Sequence, residues 1–275
     1  MTKPLVNAES SNCQPVSSQP EKNGMKVWFI GAGPGDPELI TVKGKNLIEQ
    51  ADAILFTGSL VSETVMLWSK EGCEIADSKG MNLEEINCWL IERAKKKQKV
   101  IRLQTGDPGL YGVLVEIIQA LDKEGIESAI VPGVSSALAA AAAAQETLTL
   151  PEVTQTVILT RVEGRTPMPD GESLEELASH HATLCLFLSI TLLHKIEKSL
   201  VNAGWSKDAP VVVVHKASWP GEQRIVRGTI STIRQQCKEA GITSQSMIIV
   251  SPTLGARGFD EIKKSRLYAA DFNHK

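Results

Sequence analysis

The sequence predicts an α/β fold in which mostly parallel strands are covered by helices on both faces. From residue 26 onward, short apolar runs alternate with stretches of helical periodicity, and a glycine-rich segment directly follows the first apolar run. This alternation is typical of parallel strands joined by crossover helices. The chain has 275 residues, which is long enough for two ordinary domains. We therefore expect two α/β units, one after the other.

The first half of the chain carries four strand-like apolar runs with helical stretches between them. We expect strands at 26–31, 53–57, 99–104 and 127–131, and helices at about 39–51, 82–97 and 110–124. Asn82 stands before the second of these helices, and Glu85 follows three residues later. That spacing predicts a capping box, in which the two side chains satisfy free backbone amides at the helix start.

The second half repeats the alternation after a short connection near residue 150. We expect strands at 155–160, 182–188, 210–215 and 245–250, and helices at 173–181, 191–203 and 229–240, the last capped by Thr229. The polar segment 163–173 contains two prolines and is of the kind that covers a site. The predicted organisation is a flexible tail at 1–24, an N-terminal α/β domain at 25–150, and a C-terminal α/β domain with a C-terminal extension at 151–275.

Composition and charge argue against several classes of function. The formal net charge of −3 gives no basic footprint for nucleic acid. No apolar run approaches the ~18 residues of a membrane span, and the polar first 24 residues do not resemble a secretion signal. Five scattered cysteines favour a reducing, cytoplasmic compartment over a disulfide framework. The five histidines form no zinc-binding pattern, so we expect no protein-bound metal.

The first glycine-rich segment, IGAGPGDPELIT at 30–41, resembles a nucleotide-binding loop but departs from the known phosphate-binding patterns. Its glycines are spaced G-x-G-x-G, whereas the dinucleotide fingerprint requires G-x-G-x-x-G. Asp36 places a carboxylate where a pyrophosphate would lie, and two prolines remove backbone amides. An NAD-type oxidoreductase is therefore disfavoured, as is a triphosphate loop. A tight turn without any ligand remains an alternative for this loop alone.

Three loops follow apolar strands in the first half, namely 31–37, 105–112 and 132–136. Parallel sheets bind ligands at the carboxyl ends of their strands, so we expect these loops to converge at one edge. Asp107 in the second loop can accept hydrogen bonds from a ligand or cap a helix starting near Leu110. Ser135 or Ser136 can cap the helix that follows, and the alanines at 139–144 are more typical of a tightly packed core helix than of a ligand surface.

The loops suggest a reaction that depends on positioning. We find no nucleophile elbow and no arrangement of serine, histidine and acid that spacing alone supports. Several glycine-rich ligand loops without an evident acid–base pair are typical of chemistry that needs alignment and desolvation. Methyl transfer from a sulfonium is such a chemistry, because the cationic donor is already activated.

The ordered set of motifs resembles the tetrapyrrole methylases, which use S-adenosylmethionine. The resemblance begins with GAGPGDPELIT, TGDPGLYG and VPGVSS, continues through LTRVEGRTPMP and HKASWPGEQ, and covers about residues 25–275. It implies two α/β domains with mostly parallel or mixed sheets and a ligand cleft between them. It also implies a homodimer.

The resemblance assigns site residues one by one. The implied donor contacts are Pro34, Thr105, Gly106, Asp107, Ser135, Ser136, Leu188, Ala217, Ser246 and Met247. Contacts to the carboxylate-rich tetrapyrrole are expected from Asp36, Tyr111, Arg161, Arg165, Lys216 and Arg224. Catalysis by positioning leaves no residue with an assigned catalytic role, and Asp107 is the candidate considered.

Within the family, the segments GSLVS, GMNLEEI, LTRVEGRTPMP and HKASWPGEQ are most similar to members that methylate carbon 11 of precorrin-4 or cobalt-precorrin-4 in cobalamin biosynthesis. Methylation of another position or of a related tetrapyrrole, such as uroporphyrinogen-III or another precorrin, is the alternative. Uroporphyrinogen-III methylases share the first loop but differ in the second, which here reads Thr105-Gly106-Asp107-Pro108. The sequence leaves open whether the macrocycle already carries cobalt.

Overall fold

The computed structural model describes residues 24–58, 60–61, 63–96, 99–262 and 265. The predicted tail at 1–24 lies outside the described residues apart from Gly24, and so does the predicted C-terminal segment beyond Ser265. Within the described ranges, no helix is long and apolar enough to cross a membrane. The α/β prediction is confirmed, since helices and strands alternate along the chain in two five-stranded sheets.

The first sheet is entirely parallel within the described residues. Its strands are β1 (Lys26–Gly31), β2 (Ala53–Phe56), β3 (Glu74–Asp77), β4 (Val100–Gln104) and β5 (Glu127–Val131), in the order β3-β2-β4-β1-β5. Its helices are α1 (Val42–Ile48), α2 (Leu83–Lys95) and α3 (Leu114–Lys123), with 3₁₀ turns at Pro37–Leu39 and Glu63–Trp68. The Asn82–Glu85 capping box at the start of α2 is present as predicted.

Strand β3 was missed by the sequence pattern because it is a short edge strand. It has four residues, and all but Ala76 are exposed, so its sequence has no buried apolar run. The other four strands match their predicted positions within two residues. In the register of the central pairs, Gly31 lies opposite Gln104 and Ile30 lies opposite Val131. The carboxyl ends of β1, β4 and β5 therefore finish together.

The second sheet is mixed. Its strands are β6 (Val157–Arg161), β7 (Thr183–Phe187), β8 (Pro210–His215), β9 (Arg224–Thr229) and β10 (Ser246–Val250), in the order β6-β7-β10-β8-β9. Strands β6 and β7 pair in parallel, whereas β10 is antiparallel to both its neighbours and β8 is antiparallel to β9. The helices that accompany it are α5 (Leu174–Ala178), α6 (Leu193–Asn202) and α7 (Ile233–Glu239).

The predicted cap of the last helix is wrong. Thr229 ends β9 instead, and α7 begins after Thr232. The Thr229 amide donates to Thr232 Oγ1 at 2.9 Å, so the two threonines form the turn between strand and helix. Strand β9 was hidden from the sequence pattern because this edge strand is largely exposed.

Helix α4 (Ser136–Ala144) packs on the second sheet, although it precedes the predicted domain boundary near 150. Its alanines form one buried cluster with Val212, Val214, Met247 and Ile249 of that sheet. Small side chains let the helix backbone approach the sheet closely. The alanine run therefore forms a tightly packed core helix, as the sequence predicts. The loop before α4 is the point at which the chain passes from one sheet to the other.

Candidate active site

Three loops at the carboxyl ends of β1, β4 and β5 meet backbone to backbone, as the sequence predicts. Gly106 N donates to Gly33 O at 2.8 Å, and Gly33 N donates to Gly106 O at 3.3 Å. A Cβ atom at Gly31 would lie 2.5 Å from Gly106 O, and one at Gly133 would lie closer still. Real Cβ atoms essentially never come within 3.0 Å. The junction therefore requires glycine because the neighbouring atoms belong to the backbone.

Asp107 joins the second loop to the third. Its Oδ1 accepts from Gly109 N at 2.8 Å, and its Oδ2 accepts from Gly133 N at 3.0 Å. The alternative that Asp107 caps a helix starting near Leu110 is wrong, because α3 begins only at Leu114. Both carboxylate oxygens instead hold loop amides, so Asp107 fixes the geometry of the loop junction.

A cleft lies between these loops and the ends of β7, β8 and β10. The cleft is open to solvent, and its empty volume of about 850 Å³ includes the solvent at its mouth. All ten predicted donor residues line it, namely Pro34, Thr105, Gly106, Asp107, Ser135, Ser136, Leu188, Ala217, Ser246 and Met247. The structure thus brings together residues that are far apart in sequence, and their contact with a donor stays a prediction.

Two of the predicted tetrapyrrole contacts, Tyr111 and Lys216, also line the cleft. The Tyr111 ring lies 5.3 Å from the Phe187 ring, centroid to centroid. Burial raises the pKa of the Tyr111 phenol, Arg161 lowers it and Glu172 raises it further. Tyr111 therefore stays protonated at neutral pH. Arg161 at the end of β6 and Glu172 of the polar segment 163–173 therefore lie within electrostatic reach of Tyr111.

The other four predicted tetrapyrrole contacts are not among the residues that line the cleft. Asp36 caps the 3₁₀ turn, its Oδ1 accepting from Glu38 N at 2.9 Å. Arg224 donates to the Ala240 carbonyl at the end of α7 at 2.6 Å, so its guanidinium is used in packing β9 against that helix. Asp36 and Arg224 do not line the cleft because each side chain instead binds a backbone group close to its own element.

Arg161 ends β6, just before the polar segment 163–173, and Arg165 lies within that segment. Arg161 donates to Thr166 O at 3.2 Å and to Pro167 O at 2.7 Å, and thereby anchors the segment to the end of β6. Arg165 is exposed on the same segment. Arg161 is half-buried, so Arg165 is the more exposed of the two arginines.

Several non-glycine residues that line the cleft have left-handed backbone conformations. The φ angles are +56° at Tyr111, +53° at Leu188, +47° at Lys216 and +47° at Gln245. Such conformations are unfavourable for residues with a Cβ and concentrate at functional sites. The strain here lies mainly on the side of the cleft that the second sheet supplies.

The first glycine-rich loop is held by a segment of the second sheet. Trp219 Nε1 donates to Pro34 O at 2.9 Å, and Asp36 N donates to Ser218 Oγ at 3.1 Å. A Cβ at Gly35 would overlap the Trp219 indole ring. The third glycine of G-x-G-x-G is therefore explained by packing against an indole, which accounts for its departure from the dinucleotide spacing.

Sequence reasoning missed six residues that line the cleft, namely Leu60, Leu110, Phe187, Val214, Trp219 and Gln245. Most of them are adjacent or close in sequence to residues that were predicted. Trp219 lies inside the motif HKASWPGEQ. A large aromatic residue directly before proline and glycine in a loop is the sequence feature that could have identified it. Among the described residues, no group of three or more His, Cys, Asp or Glu side chains is arranged to hold a metal ion.

A buried arginine orders the loop after β2, from which Leu60 reaches the cleft. Arg102 donates to Ser78 Oγ at 2.9 Å and to Thr57 Oγ1 at 3.1 Å. Burial lowers the pKa of Arg102 to about 10, and Asp77 counteracts part of this shift. The guanidinium therefore remains charged at neutral pH and ties the residues that follow β2 and β3 to the middle of β4.

Comparison with known proteins identifies close relatives. The sequence profile of the family Tetrapyrrole (Corrin/Porphyrin) Methylases matches residues 26–234. The chain is 49% identical to cobalt-precorrin-4 C(11)-methyltransferase of Priestia megaterium over 250 residues, 91% of this chain and 96% of the relative. It is 43% identical to precorrin-4 C(11)-methyltransferase of Pseudomonas aeruginosa over 250 residues, 91% of this chain and 98% of that protein.

Solved structures of tetrapyrrole methyltransferases also resemble this chain. The crystal structure of a cobalt-precorrin-4 methyltransferase of cobalamin biosynthesis superposes with a TM-score of 0.81 at 49% identity, covering 86% of this chain and 98% of the other. Uroporphyrin-III C-methyltransferase from Thermus thermophilus, complexed with S-adenosylhomocysteine, superposes with a TM-score of 0.68 at 25% identity, covering 84% and 94%.

Proposed function

The chain belongs to the tetrapyrrole methylases, and from this premise we propose that it transfers a methyl group from S-adenosylmethionine to carbon 11 of cobalt-precorrin-4. The observation that carries the proposal is the cleft, because residues predicted for the donor from six separate segments converge there. The relatives with C(11)-methyltransferase activity supply the acceptor and the position of methylation.

The cobalt form of the acceptor is favoured by the order of identities. The relative named for cobalt-precorrin-4 is 49% identical, whereas the one named for precorrin-4 is 43% identical. The solved cobalt-precorrin-4 methyltransferase is likewise 49% identical and superposes on most of the chain. Cobalt enters here as part of the substrate, bound by the macrocycle.

The residues of the cleft fit a donor with a flat adenine ring and polar ends. Leu188, Ala217 and Met247 supply an apolar wall, whereas Thr105 and Ser135 supply hydroxyl groups. The donor supplies a methyl group on a positively charged sulfur, so the pyrrolic carbon forms the new bond while the carbon–sulfur electron pair stays on sulfur. The chain's contribution is alignment and exclusion of water, and Asp107 serves it by holding the second and third loops together.

The acceptor side of the cleft lies beside the polar segment 163–173. A corrin precursor carries several carboxylates, and a guanidinium binds a carboxylate through two parallel hydrogen bonds. Arg165 is exposed on this segment, and Arg161 shapes it through Thr166 and Pro167. We therefore propose that Arg165 binds a substrate carboxylate. Arg161 then has the supporting role of holding the segment that carries Arg165.

The assembly and compartment follow as parts of the same proposal. Edge strand β5 exposes Ile130, and the helix after it exposes Leu138, with relative exposures of 49% and 60%. A second copy of the chain would cover such apolar side chains, so we propose a homodimer. Cys73, Cys88, Cys185 and Cys237 are free thiols, which supports a reducing, cytoplasmic compartment.

Calorimetric titration with S-adenosylhomocysteine, with NADH as the control ligand, tests the donor site. We expect binding of S-adenosylhomocysteine alone. Binding of NADH alone would contradict the proposal and support the oxidoreductase alternative.

Incubation of the protein with a ¹³C-methyl donor and either cobalt-precorrin-4 or precorrin-4 tests the acceptor. Product NMR should show the label at carbon 11, with faster turnover of the cobalt form. Label at another carbon would support the alternative regiochemistry.

A further inference from the structure

Residues 216–223, between β8 and β9, border the cleft and bind the first glycine-rich loop. We call this stretch the latch segment. Trp219 Nε1 donates to Pro34 O, and Asp36 N donates to Ser218 Oγ. The bonded residues are separated by 185 and 182 positions in sequence. These two hydrogen bonds therefore join the second sheet to the first at the cleft itself.

The latch segment is ordered by its own contacts. Ser218 N donates to the Gln223 side chain at 2.7 Å, and Lys216 forms an ion pair with Glu222. The Lys216 ammonium also lies 4.7 Å from the centre of the Trp219 ring. Lys216 and Ser218 have φ angles of +47° and +66°, conformations that persist only where surrounding contacts determine them. The indole is thus presented to the first loop from a preformed turn.

The first loop is shaped to receive the indole. Gly35 has no side chain, and a Cβ at this position would overlap the Cδ1 and Nε1 atoms of Trp219. Pro34 and Trp219 both line the cleft. A displacement of the Trp219 ring would therefore move the wall of the donor pocket itself.

We propose that Trp219 is a positioning residue for methyl transfer, which sets the shape of the donor side of the cleft by fixing the Pro34–Gly35 backbone. This role rests on the proposed function, because the donor is the ligand whose binding depends on it. It assigns the motif HKASWPGEQ a task beyond lining the cleft, namely to hold the two sheets at the separation that the donor requires.

The first test compares two tryptophan-to-phenylalanine variants by calorimetry with S-adenosylhomocysteine. Trp219→Phe keeps a ring over Gly35 but removes the hydrogen bond to Pro34 O. We expect its Kd to rise about five- to tenfold. Trp68→Phe is the matched control, because Trp68 Nε1 is buried without a hydrogen-bond partner in the described part of the chain. Its Kd should equal that of the wild type.

The second test is a double-mutant cycle between Gly35→Ala and Trp219→Ala. The added methyl group meets the indole only when Trp219 is present, so Gly35→Ala should weaken binding far less in the Trp219→Ala background. The backbone at Gly35 has a φ of +156°, and its cost for alanine is common to both backgrounds and cancels in the cycle. Additive effects would show that the two residues are not coupled.

The outcomes separate this role from the proposed function. Wild-type protein that does not bind S-adenosylhomocysteine overturns the proposed function and the positioning role with it. Wild-type binding that is unchanged in Trp219→Phe and Trp219→Ala overturns the positioning role alone. In steady-state assays, Trp219→Ala should raise the KM for the donor about tenfold while its melting temperature stays close to that of the wild type. If the melting temperature of Trp219→Ala also fell, and its Kd returned to the wild-type value at low temperature, Trp219 would have only a structural role and the positioning role would be wrong.

Discussion

The two walls of the cleft are built on different principles. The wall from the first sheet consists of loop backbones in direct contact, with Gly31 and Gly133 where no Cβ could fit. The wall from the second sheet uses residues with side chains, of which Leu188 and Lys216 are held at positive φ.

This difference indicates what each wall contributes. Backbone packed against backbone leaves no room for adjustment, so the first wall is a rigid reference surface. The second wall stores conformational strain to aim its side chains into the cleft. We therefore expect substitutions in the first wall to destabilise the protein, and substitutions in the second to change binding with little loss of stability.

The largest effect should come from Gly133→Ala. Its new methyl group would overlap Gly106 O and the Gly31 backbone, which cannot move independently of their strands. We expect a loss of about 3 kcal/mol in the free energy of unfolding and no detectable binding of S-adenosylhomocysteine. Urea denaturation and calorimetry measure the two quantities. Gly258→Ala is the control, because nothing lies within 4 Å of a Cβ there. Equal stability of Gly133→Ala and Gly258→Ala would contradict the conclusion that the first wall is rigid.

A smaller effect should follow Asp107→Ala. The change removes the acceptor of two loop amides, those of Gly109 and Gly133. We expect a folded protein that is less stable by about 1–3 kcal/mol and binds S-adenosylhomocysteine about tenfold more weakly. Asp107→Asn keeps one acceptor oxygen and should lie between the alanine variant and the wild type. Asp122→Ala, on the exposed face of α3, is the control. Normal binding by Asp107→Ala would reduce this residue to a local turn former.

Arg165→Ala extends the comparison to the acceptor side, outside both walls. The exposed guanidinium contributes to neither wall, so stability and donor affinity should not change. The KM for the tetrapyrrole should rise about fivefold, as expected when one charge-assisted contact in a solvent-exposed position is lost. Steady-state kinetics with saturating donor measure it. Arg234→Ala, exposed on α7, is the matched control. Unchanged kinetics for Arg165→Ala would remove this residue from the substrate site.

Only a small effect on stability should come from Leu188→Gly, which tests the role of the second wall. Glycine relieves the positive φ of +53°, so the free energy of unfolding should stay within about 1 kcal/mol of the wild type. Affinity for S-adenosylhomocysteine should nevertheless fall severalfold, because an apolar contact in the cleft is lost. Gln145→Gly relieves a similar φ of +55° away from the cleft and should leave affinity unchanged. A strongly destabilised Leu188→Gly would mean that the side chain is needed for folding.

Much of the fold could be predicted because most elements carry a local signal. Eight of the ten strands in the described ranges were expected near their observed positions. Strands β3 and β9 were missed because edge strands bury too little side-chain surface to leave an apolar run. Thr229 was misassigned for a related reason, since the strand that contains it was not recognised. The placement of α4 on the second sheet also lay beyond local patterns, because an alanine helix has no marked apolar side.

The cleft contains all ten residues that the motifs predict for the donor and two of the six predicted for the tetrapyrrole. Contact of these residues with either ligand stays a prediction. Seven of the ten donor residues lie in loops that follow strands, whereas Ser136 begins α4 and Ser246 and Met247 begin β10, so the position of all ten follows from the ends of strands and helices. Of the expected tetrapyrrole contacts, Tyr111 and Lys216 line it and Asp36 and Arg224 bind neighbouring backbone instead. Long charged side chains can take several partners, and sequence alone does not select among them.

The sequence by itself determined the alternation of strands and helices, the three loops at the ends of parallel strands, and the family to which the chain belongs. These properties depend on periodicity and on motifs a few residues long. Only the tertiary structure decided that Trp219 fills the space left by Gly35, that Asp107 binds Gly133, and that α4 crosses to the second sheet. Such contacts depend on how two separately formed sheets pack, because their partners are brought together by burial of surfaces far apart in the chain.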